Sequence, residues 1–179
     1  MKKILFLLVL VVTCLSGFSQ SPIESVKESD KSKSELYSAI RMFISDKWVN
    51  PKKAITNEDK ELGLIQINTT KEIEVGVGMG MKCVYTYKYN TKFRVKDNKY
   101  KIEIYDIVCT DARQVGMGGS DEVPMIPYFE GDNAPDKLKT LGRGISKKKA
   151  IQMMDELRSE FDSIINGFES YLNSFNDDF

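Results

Sequence analysis

The chain has 179 residues, 41% of them hydrophobic, which suits one globular domain together with processing segments. Its 26 basic residues balance 26 acidic ones, so neither a nucleic-acid binder nor a protein built for polyanionic surfaces is implied. It contains no histidine, which removes the usual general base, the Ser-His and Cys-His nucleophile pairs and every histidine-bearing zinc motif.

Residues 1–19 read as a secretory signal peptide. Lys2 and Lys3 form a basic start, Ile4 to Val12 is an unbroken apolar run, and Gly17-Phe18-Ser19 sets small residues ahead of a cut before Gln20. The run is too short to span a bilayer, so no transmembrane segment is expected once it is removed. Val11-Val12-Thr13-Cys14 approaches a lipoprotein processing box but has Thr13 where a smaller residue is wanted, so lipidation through Cys14 is disfavoured. The expected location is periplasmic or secreted, with a net charge of −2 after cleavage.

Residues 20–32 are polar and without periodicity, a predicted flexible lead. Ser32-Lys33-Ser34-Glu35 fits a capping box, and Leu36, Tyr37, Ile40, Phe43, Ile44 and Trp48 follow at helical spacing, ending at Asn50-Pro51. A short strand is predicted at Ala54 to Thr56, then a charged turn with Gly63 available for positive φ. A strand follows from Leu64 to Val75, with Ile65, Ile67, Ile73 and Val75 on one face.

The strongest signal is the pair of alternating runs between Met81 and Thr110. Tyr85, Tyr87, Tyr89, Phe93 and Val95 share one parity, with Lys82, Lys88, Lys92, Arg94 and Lys96 between them. A hairpin closing on Asp97-Asn98 pairs Val95 with Tyr100, Phe93 with Ile102 and Tyr87 with Val108, which puts both apolar sets on one face. That register turns Cys83 inward and Cys109 outward, so no disulfide between them is expected, although a bulge near Tyr105-Asp106-Ile107 would change the parity.

Residues 111–144 contain three prolines and no period, a connection long enough to be functional or disordered. Within it Met125 to Phe129 is a weak candidate for an edge strand. From Ser146 onward the period is helical: Ile151, Met154, Leu157, Phe161, Ile164, Ile165, Phe168, Leu172 and Phe175 form one apolar stripe, and this helix is predicted to be core.

Chemistry-bearing motifs are few. Gly76-Val77-Gly78-Met79-Gly80 is followed by a strand, not by the helix that a phosphate cradle needs, and reads as a hairpin loop. Asp132, Asn133 and Asp136 lack the spacing of a calcium loop, so no metal and no cofactor is expected. Lys88, Lys92, Arg94 and Lys101 lie on the outer hairpin face and are the candidate ligand-binding residues, for an anionic ligand or an acidic envelope partner. A solvated, lysine-guarded sheet face is the plainer account of the same strip. Tyr85, Tyr87 and Tyr89 could line a cavity under the terminal helix, the basis of an alternative reading as a small-molecule or lipid carrier.

The order of features, from Ser34-Glu35-Leu36-Tyr37 through Asp59-Lys60-Glu61-Leu62-Gly63-Leu64-Ile65 to Phe93-Arg94-Val95-Lys96-Asp97-Asn98-Lys99-Tyr100-Lys101, resembles the Bacteroidetes domain of unknown function with a TBP-like fold. That resemblance implies an exported α+β protein in which helices pack on one face of a curved antiparallel sheet, and it implies no activity or site residue. The expected architecture is an N-terminal helix, a four- to five-stranded antiparallel sheet and a long C-terminal helix, all within residues 33–179. The expected role is non-catalytic binding at the cell envelope.

Overall fold

The computed structural model describes residues 23–78, 81–111, 123–124 and 146–174. In chain order the elements are β1 (Ile23–Glu28), α1 (Lys33–Lys47), α2 (Pro51–Ala54), β2 (Ile55–Asp59), β3 (Leu64–Gly78), β4 (Met81–Lys96), β5 (Lys99–Asp111), β6 (Val123–Pro124) and α3 (Lys147–Ser174). The strands form one antiparallel sheet in the order β1-β5-β4-β3-β2, and β6 extends the β1 edge of β5. The architecture is α+β, and α1 and α3 bury their apolar stripes on the same sheet face.

Helix α1 starts where its capping box requires. The Ser32 hydroxyl accepts from the Glu35 backbone N–H at 3.4 Å, and the Glu35 carboxylate accepts from the Ser32 N–H at 2.6 Å. The Lys33 N–H also donates to Asp97 Oδ1 at 2.8 Å, which pins the start of the helix to the β4–β5 turn. In that turn Asn98 adopts φ 61°, a conformation asparagine tolerates better than most residues. Trp48 closes the helix, its N–H donating to the Ile44 carbonyl at 3.1 Å, while Asn50 and Pro51 begin the separate short helix α2.

Three expectations are corrected. The stretch expected as a flexible lead contains β1, an edge strand paired with Lys99 to Ile104. Its side chains give little period-two signal because only Ile23 is a large apolar residue on the inward parity, so pairing with β5 makes the strand. The second correction is the parity beyond the middle of the hairpin. Lys88 pairs with Val108 but Asn90 pairs with Tyr105, so Tyr89 faces two residues, Asp106 and Ile107. Asp106 takes φ 52°, and the extra residue turns Ile107 and Cys109 inward, where they are 0% and 3% exposed. Tyr87 therefore pairs with Cys109, not Val108, and Cys109 is on the buried face with no disulfide. The opposite-face argument for Cys83 and Cys109 thus loses its second half, while the Cys83 side chain lies outside the described residues.

The third correction concerns α3. Its buried stripe is Ala150, Met153, Met154, Leu157, Phe161, Ile164, Phe168 and Leu172, and Ile151 is exposed. Ala150 sits at the middle of that stripe, and Ile151, one residue and about 100° further around the helix, turns to solvent. Phe175 and the segment Met125 to Phe129 lie outside the described residues.

Candidate functional site

The two faces of the sheet differ in what covers them. On the inner face Tyr85, Tyr87, Tyr89 and Phe93 are at most 1% exposed. The Tyr89 ring meets Phe161 edge-on at 5.2 Å, and Phe168 meets Tyr100 at 5.1 Å, Phe43 at 5.4 Å and Phe93 at 6.0 Å. These rings fill the space in which a carrier would need its cavity, so the tyrosines are core. Burial pushes the Tyr87 and Tyr89 hydroxyls far above their usual range, helped by Cys109 beside Tyr87 and by Glu160 beside Tyr89.

The outer face is concave. A depression of about 790 Å³ is lined from all five main strands: Val26 on β1, Lys99 and Lys101 on β5, Lys92, Arg94 and Lys96 on β4, Leu64 and Gln66 on β3, and Asn57 on β2. Leu62, in the β2–β3 turn, closes one end. Gly63 fixes that turn at φ 65°, and its carbonyl accepts from the Val95 N–H at 2.8 Å, so the turn is bolted to the end of β4. A side chain there would place Cβ 2.5 Å from the Val95 carbonyl oxygen.

Three of the four expected ligand-binding residues, Lys92, Arg94 and Lys101, come together in this depression. Lys88 does not: it lies on the same face but between Thr70 and Val108, outside the lining. Lys92 holds its ammonium 4.6 Å over the Tyr105 ring. Arg94 Nε stands 3.3 Å from Glu103 Oε2, and Lys101 Nζ stands 2.6 Å from Glu24 Oε2 and 3.2 Å from Glu103 Oε1. Hydrogen bonds that the Lys101 ammonium donates to Glu24 and Glu103 raise its pKa, so it is a firm cation at every physiological pH. Lys96 and Lys99 make no ion pair with any described residue, and both are exposed.

Sequence reasoning missed the apolar part of the lining, Val26, Leu62 and Leu64, and the acidic partner Glu24. Val26 and Leu62 are 47% and 71% exposed, and their signal is tertiary: each is an isolated apolar residue in a polar context until the sheet brings them together. Among the described residues no group of three or more side chains is placed to hold a metal ion, and no helix is long and apolar enough to cross a membrane.

An open antiparallel sheet backed by helices on one face and hollow on the other defines an α+β protein of TBP-like fold. The family model of DUF4468, the domain of unknown function with TBP-like fold, matches residues 24–110. Two crystal structures share the architecture. A TBP-like protein from Parabacteroides distasonis superposes with a TM-score of 0.57 at 16% identity, covering 91% of this chain and 99% of that one. A DUF4468 family protein from Bacteroides ovatus gives 0.56 at 12% identity, covering 88% and 91%. At these identities the likeness is one of fold. No curated protein matches the chain.

Proposed function

We propose that this is an exported, non-catalytic binding protein of the cell envelope whose concave sheet face holds an anionic ligand or the acidic surface of a partner. The observation that carries the reading is the depression itself. Five cations line it, none of its lining residues is acidic, and it opens on the side of the sheet away from α1 and α3. A concave surface with cations on a rigid sheet is pre-organised, so binding need not pay for ordering the backbone. Export is supported by the basic start at Lys2 and Lys3 and the apolar run from Ile4 to Val12, with the fold entering β1 at Ile23, soon after the expected cut.

The test is a titration of the chain from Gln20 onward against polyglutamate, a uronic-acid glycan and vesicles containing phosphatidylglycerol. Lys96→Glu with Lys99→Glu is expected to weaken the bound probe by about tenfold or more at low salt, and Lys92→Glu to act in the same direction. Lys88→Glu, outside the depression, is expected to change affinity less than about twofold. Equal losses for Lys88→Glu and for the lining variants, or no binding to any probe, would overturn the reading.

A further inference from the structure

Three transverse rows of side chains cross the hollow face. The middle row runs Val26, Lys101, Arg94 and Leu64 across β1, β5, β4 and β3, each directly opposite the next. Two cations therefore sit side by side with one apolar group at each end. With neighbouring strands ~4.8 Å apart, the apolar ends are roughly 14 Å from each other. The row on one side is Glu24, Glu103, Lys92 and Gln66, and the row on the other is Glu28, Lys99 and Lys96, ending near Leu62.

We infer that the occupant of this face is an acidic amphipathic helix of a protein partner, laid across the strands with a carboxylate pair over Arg94 and Lys101 and an apolar side chain at Val26 and at Leu64. The inference rests on the binding reading above and narrows it to one partner chemistry. Charge is the first argument. The five cations are partly offset by Glu24, Glu28 and Glu103 in the same rows, so the face carries a small positive excess. That suits a ligand with a few carboxylates. A polyphosphate or an anionic bilayer spreads more negative charge over the face than that excess neutralises, and the surplus meets Glu24, Glu28 and Glu103 with unfavourable like-charge repulsion. The second argument is the arrangement of apolar surface. An acyl chain needs a continuous apolar lining, whereas here the two apolar contacts are separated by two cations.

The need for two carboxylates between the apolar anchors selects the helix over an extended peptide. A strand covers ~14 Å in about four residues, and with alternate side chains on one face it sets a single carboxylate between two apolar groups. On a helix, residues i, i+3, i+4 and i+7 share a face, and seven residues advance about 10 Å, a span that long side chains extend. The pattern Leu-x-x-Glu-Glu-x-x-Leu thus presents two carboxylates between two apolar anchors, the complement of the middle row. Acidic residues on its flanks would meet Lys96 and Lys99.

The experiment titrates a fluorescent helical peptide carrying one such repeat against the chain from Gln20 onward, beside polyglutamate and phosphatidylglycerol vesicles. Saturable binding is expected, weakened about tenfold by Glu→Gln in the peptide and about tenfold by Leu→Ala in the peptide. Val26→Ser and Leu64→Ser in the protein are expected to lower affinity for the parent peptide by more than they lower affinity for the Leu→Ala peptide, with far-UV circular dichroism confirming the fold. If polyglutamate binds in a Lys96- and Lys99-dependent way while the parent and Leu→Ala peptides bind equally, the helix inference is overturned and the binding function stands. Vesicle binding tighter than peptide binding would also overturn it in favour of a lipid surface, and failure of every probe would remove both readings.

Discussion

Gly63 and Asp106 both occupy the left-handed region, and they were unequally visible beforehand. Gly63 follows a charged turn and precedes a strand, so its positive φ is legible as turn chemistry, and the structure places it at φ 65°. Asp106 lies where the apolar parity changes between Ile104 and Ile107, which marks a place for a bulge without showing that one forms. Its role depends on Tyr89 in the facing strand and on Asn90, whose amide donates to Asp106 Oδ2 at 3.2 Å. Gly63→Ala is expected to destabilise the protein by about 2–4 kcal/mol, combining left-handed strain with the clash against the Val95 carbonyl. The urea midpoint should fall accordingly, and an unchanged midpoint would mean that the turn relaxes.

At the scale of elements, α3 shows why a correct stripe can still be set at the wrong angle. Met154, Leu157, Phe161, Ile164, Phe168 and Leu172 are buried as their spacing requires. Ile151 is spaced by three from Met154 and is 39% exposed, because it stands about 100° around the helix from Ala150, at the middle of the buried stripe. Phe168 is the centre of the packing, touching rings from α1, β4 and β5. Phe168→Ala should therefore cost about 3–5 kcal/mol in chemical denaturation, whereas Ile151→Ala should cost less than about 0.5 kcal/mol. Similar losses for the two would contradict the rotation of the helix described above. Strand β1 makes the complementary point: with a single large apolar residue on its inner parity, it is recognisable only through its partner β5 and through Lys27, which reaches Glu169 of α3 at 3.5 Å.

For the whole molecule, the buried tyrosines couple stability to alkaline pH. Burial, with Glu169 nearby, pushes Tyr100 up to about 12 from a usual value of 10.0, and Tyr87 and Tyr89 are raised further by burial. Above pH ~10 the unfolded chain releases these protons while the folded chain keeps them, so stability is full below that pH and falls as pH rises. Each such group contributes a slope of up to about 1.4 kcal/mol per pH unit. Tyrosinate absorbance should accordingly appear in a late, cooperative step that coincides with loss of the far-UV signal. Early, non-cooperative titration of all eight tyrosines would show that the inner face is open to water.

The alternation through Met81 to Lys96 and on from Lys99 was enough to fix two opposed faces, the hairpin at Asp97-Asn98 and the grouping of Lys92, Arg94 and Lys101, because side-chain direction in a strand follows from residue parity, and the helical spacing of α1 and α3 made the class α+β. Tertiary structure alone decided that the bulge at Asp106 forms, which polar stretch becomes an edge strand, and that Val26, Leu62 and Leu64 join the cations in one hollow. Those outcomes depend on contacts between residues tens of positions apart, and no local period encodes such contacts.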